Sequence, residues 1–363
     1  MTLTDLSGPG SRLLTRTGVT AGDVVLRLGR TTVRFDRRAT AVTALLVLAV
    51  ALLVLVSLMV GEYTIGPGAL WDVITGAPQR RLDRFFVVDR RLPRALVAVG
   101  VGGGLAAAGA IFQRLHHNPL ASPDIIGFTD GAAVGAVLAM ITFGGGLAMG
   151  ALGASVGALV TLAIIAALTV LGGLRGTRLV LVGIALAALS TSATFYLLSQ
   201  AYLPSAATAN AWLIGSLSGR GWGQVLAVAA GLMLVTPLVV VLDRAFGALD
   251  LGDTVATTLG VRSGRARLGL MAAATLLVGL SVAAAGPIAF IALAAPHLAR
   301  GLTRTAGAGI LPATCTGALL LGVSDLVAEH AFPAPVPVGV LTVSIGGVFL
   351  IWLLVREGLR HRV

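Results

Sequence analysis

The 363 residues are 56% hydrophobic and only 11% charged, with a mean hydropathy of +0.96, which is more apolar than a soluble globular domain requires. All of the 26 basic residues are arginine, and against 15 acidic residues they give a net charge of +11. They cluster between apolar runs, a pattern that fits membrane orientation rather than nucleic-acid binding. The single cysteine, Cys315, lies inside an apolar run and excludes an intrachain disulfide.

Residues 1–38 are polar and arginine-rich, with no cleavage site of a signal peptide, and read as a cytoplasmic, partly disordered N-terminal extension. Residues 39–363 form the membrane domain. A span needs roughly 20 apolar residues, and on that measure about ten helices are expected, near 40–60, 93–112, 125–143, 147–171, 179–200, 224–242, 268–285, 288–300, 310–329 and 338–355. The fold class is therefore all-α and polytopic. The distribution of arginines between loops favours both termini inside, although the 61–92 loop carries five of them.

In the second span Gly100, Gly104 and Ala108 recur at four-residue spacing, which permits close helix contact. The following stretch, QRLHHNPLASPDIIGFTDGA, turns at Asn118-Pro119 and Ser122-Pro123. The adjacent His116 and His117 point to different sides of a helix with no carboxylate at ligand spacing, so a metal site is not expected. Gly153-Ala154-Ser155-Val156-Gly157 has the letters of a nucleophile elbow but lies within an apolar run and reads as helix packing. The fifth span carries Ser190, Thr191, Ser192, Thr194, Ser199 and Gln200, polar groups that either satisfy their own helix carbonyls or face a wet path. Trp212 and Trp222 suit a membrane interface.

Between the sixth and seventh spans, in a polar segment of about 243–267, a short helix is expected over 250–260. Asp250 is its expected N-cap and Gly260 its C-terminal stop. Leu251, Val255 and Leu259 fall four apart on one apolar face, with Asp253, Thr254 and Thr257 around the rest. Such a helix lies on the membrane surface or inserts into a partner. A long apolar run then breaks at Gly286-Pro287 and resumes to Pro296-His297 and Arg300. His297 reads as a structural histidine. Asp325 and Glu329 stand one helical turn apart in the ninth span.

GDTVATTLGV followed by AGPIAFIALAAPHLAR resembles the signature of FecCD-type permeases, the membrane subunits of ABC importers for ferric siderophores, haem and cobalamin. NPLASPDIIGF and WLIGSLSGRGW are similar to further elements of that family, most closely to actinobacterial ferric-siderophore subunits of the enterobactin-permease type. The resemblance implies an ABC importer type II permease fold. It implies that the 250–260 helix docks on a cytoplasmic ATPase through Leu251, Asp253, Thr254, Val255, Leu259 and Gly260. It places a cytoplasmic gate at Gly176 and Thr177, where an ordinary helix-connecting turn is the other reading, and pathway lining at Ser190, Thr191, Ser192 and Thr194. Arg91 and Arg94 match arginines that receive an extracytoplasmic binding lipoprotein, with headgroup anchoring as the alternative. Where relatives add a third arginine this chain has Glu329.

The expected partners are two copies of an ATP-binding subunit, a paralogous permease in preference to a second copy of this chain, the binding lipoprotein and the membrane. No cofactor is expected on this chain; ATP and Mg²⁺ belong to the ATPase, since no G-x-x-x-x-G-K-[ST] loop is present. Catalytic residues and metal ligands are expected to be none. The substrate implied is a ferric siderophore, with haem or cobalamin next. A secondary carrier is disfavoured because carboxylates are almost missing from midspan, and an intramembrane protease because no H-E-x-x-H or paired nucleophile exists.

Overall fold

The computed structural model describes residues 23–28, 31–77, 80–144, 146–172, 177–305 and 309–360. Among the described residues seven helices are long and apolar enough to cross a membrane: α1 (Arg37–Met59), α3 (Arg81–Leu115), α5 (Gly146–Gly172), α6 (Thr177–Gln200), α8 (Trp222–Leu249), α10 (Ser263–Ala285) and α12 (Ile310–His330). Two shorter apolar helices join them among the described residues, α4 (Phe128–Phe143) and the Val338–Leu353 part of α13 (Val338–Arg360), while the amphipathic α11 (Ile291–Thr303) stands where the eighth span was expected. A helical fold follows from the solvent, because lipid offers no partner for backbone N–H and C=O groups and each segment must satisfy its own. Short helices α2 (Pro67–Ile74), α7 (Leu203–Leu213) and α9 (Asp253–Thr258) lie in the connections.

The N-terminal extension, expected to be partly disordered, contains an antiparallel hairpin of β1 (Asp23–Leu28) and β2 (Thr31–Asp36), paired from Asp23↔Asp36 to Leu28↔Thr31. Asp36 closes it and opens α1, its carboxylate accepting from the N–H groups of Arg38 and Ala39. That is the N-cap preference of aspartate.

The organising helix is α3. Its half from Leu92 to Leu115 is buried almost throughout, packed by α12, α10, α11, α8 and α1. Small residues make this possible where no hydrophobic drive acts between helices in lipid. A Cβ at Gly109 would lie 1.8 Å from the Ala292 carbonyl oxygen, so α11 passes against bare backbone. The pair α4 and α5 meets in the same way: a Cβ at Gly135 would lie 2.3 Å from the Gly153 oxygen, and one at Gly157 2.1 Å from the Gly131 oxygen. The elbow-like GASVG is thus a helix contact, and the Ser155 hydroxyl returns to the Ala151 carbonyl at 3.0 Å.

The polypeptide breaks between α10 and α11. Gly286 has φ +80 and Phe290 φ +69, and the resulting bend gathers three segments. Ser216 N–H donates to Ala285 O at 2.8 Å, Gly339 N–H donates to Gly215 O at 3.1 Å, and the Asp124 carboxylate lies beside the Phe290 N–H and accepts at 2.5 Å from the Thr129 hydroxyl. The 118–127 turn and the 286–290 break, far apart in sequence, are therefore one structural unit. Trp212, expected at a membrane interface, is buried in this neighbourhood at 4% exposure. It belongs to the core because α7 packs on α4 and α6 instead of lying on the bilayer surface. Trp222 keeps an exposed face and donates from Nε1 to Val88 O at 3.1 Å.

Candidate functional site

Two clusters, at opposite ends of α3, hold most of the residues singled out by sequence. At the C-terminal end of α3 stands the short helix α9. It covers only Asp253–Thr258, shorter than the expected 250–260, and Asp250 does not cap it. Asp250 ends α8 instead, its carboxylate bonded to the Arg114 guanidinium, which also lies 3.8 Å over the Phe246 ring. The N-cap is Gly252 at φ +98, a conformation that strains any residue with a Cβ. The expected stop at Gly260 is present, at φ +81.

Three long side chains tie this segment to the transmembrane body. Arg267 Nη2 donates to Asp253 Oδ1 at 3.0 Å and its Nη1 to Leu115 O at 3.2 Å, so one guanidinium joins α9, α10 and the end of α3. Arg114 clamps Asp250, and His117 Nε2 lies 3.3 Å from Asp250 O. His116 beside it is held by Phe112 O at 2.9 Å and stacks on the Phe112 ring; burial lowers its pKa, so the ring stays neutral at pH 7. Ala256 is buried, whereas Leu251, Val255 and Leu259 are exposed at 65%, 41% and 63%. The outward face is thus an apolar ridge on a segment fixed from behind. Beside it runs a groove lined by Leu242, Ala245, Val261, Arg262 and Arg265.

At the N-terminal end of α3, Arg94 is gripped by its own chain. Its Nε and Nη2 donate to the two carboxylate oxygens of Asp325 at 2.8 Å each, and its Nη1 donates to Glu329 Oε1 at 2.6 Å. The i, i+4 spacing of the two acids on α12 places both on the side that packs α3. Arg91, one turn earlier, donates to Leu58 O at 2.9 Å and Tyr63 O at 2.5 Å and sits over the Phe86 ring. These arginines were expected to face a partner. Within this chain their donors meet acceptors of its own, which the π-helical stretch Phe85–Arg91 and the close packing of α12 bring to them. Around them opens a cavity of about 720 Å³ lined also by Arg90, Asp89, Arg220 and His330.

On α6, Thr191 and Ser192 are exposed and Ser190 is half-buried, while Thr194 is buried with its hydroxyl on Ser190 O at 2.9 Å. Gly176 lies outside the described residues; Thr177 begins α6, and its side chain lies outside them too. Sequence reasoning missed Arg114, Arg267, Asp124 and Arg220. The first two had a signal in the unbalanced Asp250 and Asp253, but their acceptors are more than a hundred residues away or across a turn.

A bundle of apolar helices, with a tethered amphipathic helix at one end and a charged mouth at the other, defines a membrane transport subunit rather than an enzyme. Comparison with known proteins is specific: the profile of the FecCD transport family matches residues 47–356. The ferric enterobactin transport system permease protein FepG of Escherichia coli is 41% identical over 298 residues, covering 82% of this chain and 90% of that protein. The Fe(3+)-citrate import system permease protein YfmE of Bacillus subtilis is 34% identical, covering 86% and 95%. A solved structure described as an inward-facing conformation of a putative metal-chelate type ABC transporter superposes with a TM-score of 0.78 at 28% identity, covering 87% of this chain and 99% of that one. The chain belongs to the FecCD transport family. It is a multi-pass permease of an ABC importer and works with an ATPase and a binding protein.

Proposed function

We propose that this chain translocates a ferric siderophore across the cytoplasmic membrane, with both termini inside, as one of two paralogous permeases above a pair of ATPase subunits. The observation that carries the reading is the apolar ridge of Leu251, Val255 and Leu259, exposed on a segment that Arg114 and Arg267 fasten to the transmembrane body. A ridge held this way transmits a push from a docked ATPase into α3 and α10 instead of absorbing it. No cofactor is assigned to this chain; ATP and Mg²⁺ act in the ATPase. The names of the iron-chelate relatives support the substrate class, and a third arginine on α12 is not needed for the importer reading, because a paralogous partner supplies its own outer face.

The test is uptake of ⁵⁵Fe-enterobactin, ⁵⁵Fe-citrate, labelled haem and labelled cobalamin in a strain lacking this permease, with and without the gene restored. Restoration of ferric-siderophore uptake alone supports the assignment. Restoration of haem or cobalamin uptake alone replaces it with that substrate.

A further inference from the structure

Two exposed arginines, Arg262 and Arg265, stand where the seam between α8 and α10 ends beside the α9 segment, and neither forms an ion pair among the described residues. Asp250 is held by Arg114 and Asp253 by Arg267, and Asp243 does not line the groove that the two arginines share. The other side chains of that groove, about 650 Å³ in volume, are all apolar. Val241, Leu242 and Ala245 come from α8, and Leu259 and Val261 from the residues just after α9.

Further along the same seam lies a second apolar cavity of about 300 Å³, lined by Leu159 of α5, Ala230 and Leu234 of α8, and Leu276 and Leu280 of α10. One face of α8 joins the two, since Leu234, Leu238, Val241 and Ala245 recur at three- and four-residue spacing, and the three larger side chains are exposed. Between them α8 and α10 stay close: a Cβ at Gly269 would lie 3.1 Å from Leu242 Cδ1. From Leu242 to Gly231, which borders the second cavity, α8 rises roughly 16 Å at about 1.5 Å per residue. That is about the depth of one leaflet, half of the roughly 30 Å hydrocarbon core.

We propose that an anionic phospholipid of the cytoplasmic leaflet occupies this seam, with its phosphate between Arg262 and Arg265 and one acyl chain reaching the cavity at Ala230. Charge selects the headgroup, because two guanidiniums without a counter-ion attract net negative charge and gain less from a zwitterion that brings its own cation. Contact selects the position, because a chain end inside the cavity meets protein atoms on several sides. A soluble partner can reach the arginines but not a cavity one leaflet deeper. The bound lipid joins the residues after α9 to α8, beside the ties that Arg114 and Arg267 already make. The inference rests on the importer reading, which sets this end of the bundle inside.

The experiment reconstitutes the complete permease–ATPase complex in phosphatidylcholine nanodiscs containing a small fraction of phosphatidylglycerol with a diazirine at the end of one acyl chain. After irradiation, labelled peptides are identified by mass spectrometry. Label is expected on residues 227–234 of α8 and 276–280 of α10. It is expected to fall about 25-fold when Arg262→Gln and Arg265→Gln are combined, about fivefold for each charge facing an anionic lipid, and to persist largely when both become lysine, a rescue that misfolding cannot imitate. Ala230→Phe, which fills the cavity from an exposed position, is expected to remove the label from both segments while the ATPase stays bound. Equal labelling by phosphatidylcholine carrying the same diazirine overturns the inference, as it shows a seam without charge selection. So does an unlabelled seam in a complex that holds its ATPase, and so does loss of the ATPase from the double glutamine variant, which assigns the arginines to that subunit. A wild-type complex that retains no ATPase at all overturns the importer reading, and this inference with it.

Discussion

Replacing Arg94 by Met removes the cation that holds Asp325 and Glu329. The three hydrogen bonds are 2.8, 2.8 and 2.6 Å long, and the Asp325 side chain is only 10% exposed, so its carboxylate cannot recover its hydration when the arginine is gone. Breaking a buried ion pair from one side costs roughly 3–5 kcal/mol. Glu329, at 36% exposure, turns to solvent and lowers that figure, so the expected loss is about 2–4 kcal/mol. The opposite holds when the charges leave together: Arg94→Met with Asp325→Leu removes both buried ions and is expected to cost about 1 kcal/mol, well below the single change. Equilibrium unfolding in mixed micelles of rising SDS fraction, followed by tryptophan fluorescence, measures both. The reasoning fails if Arg94→Met lies within about 0.5 kcal/mol of wild type, or if the double variant is less stable than the single one.

Glu329→Gln is expected to lower stability less than Asp325→Asn in the same assay, because the glutamate makes one bond to Arg94 and is the more exposed. Gly109→Val should separate α3 from α11, since even a Cβ would sit 1.8 Å from Ala292 O; thermal unfolding in detergent should come several degrees earlier, at a cost of about 1–3 kcal/mol or more, and an unchanged midpoint would remove the close contact. Val255→Asp should leave the isolated chain as stable as before, as the side chain is exposed, yet weaken ATPase retention by an apolar groove by about 2–4 kcal/mol; co-purification with wild-type substrate-stimulated hydrolysis would sink the docking role of the ridge. Arg267→Ala, which frees Asp253 and Leu115 O together, should keep the ATPase bound but reduce transport per ATP hydrolysed, read out in proteoliposomes.

The spans were legible because lipid imposes a local rule. Each segment must be long, apolar and internally hydrogen-bonded, so hydropathy alone located the seven long helices and the shorter α4 and α13, and glycine spacing announced the close packing of α3. The short α9 was legible for a similar local reason, from its 3.6-residue pattern and the glycine that ends it, although its start moved by three residues when Asp250 found Arg114 instead of the helix N-terminus. Partnership between distant charges obeys no local rule. Nothing near Arg94 in the chain says that Asp325, 231 residues later, will lie 2.8 Å away, and the isolated expectation for an arginine at the end of a span is an outward-facing donor. Only the packing of α12 against α3 brings the acids in. The same packing buries Trp212 and brings Asp124 beside the Phe290 N–H. It also ties the 214–221 loop, which its own hydrogen bonds shape, to the break at Gly286 through Ser216 N–H and Ala285 O.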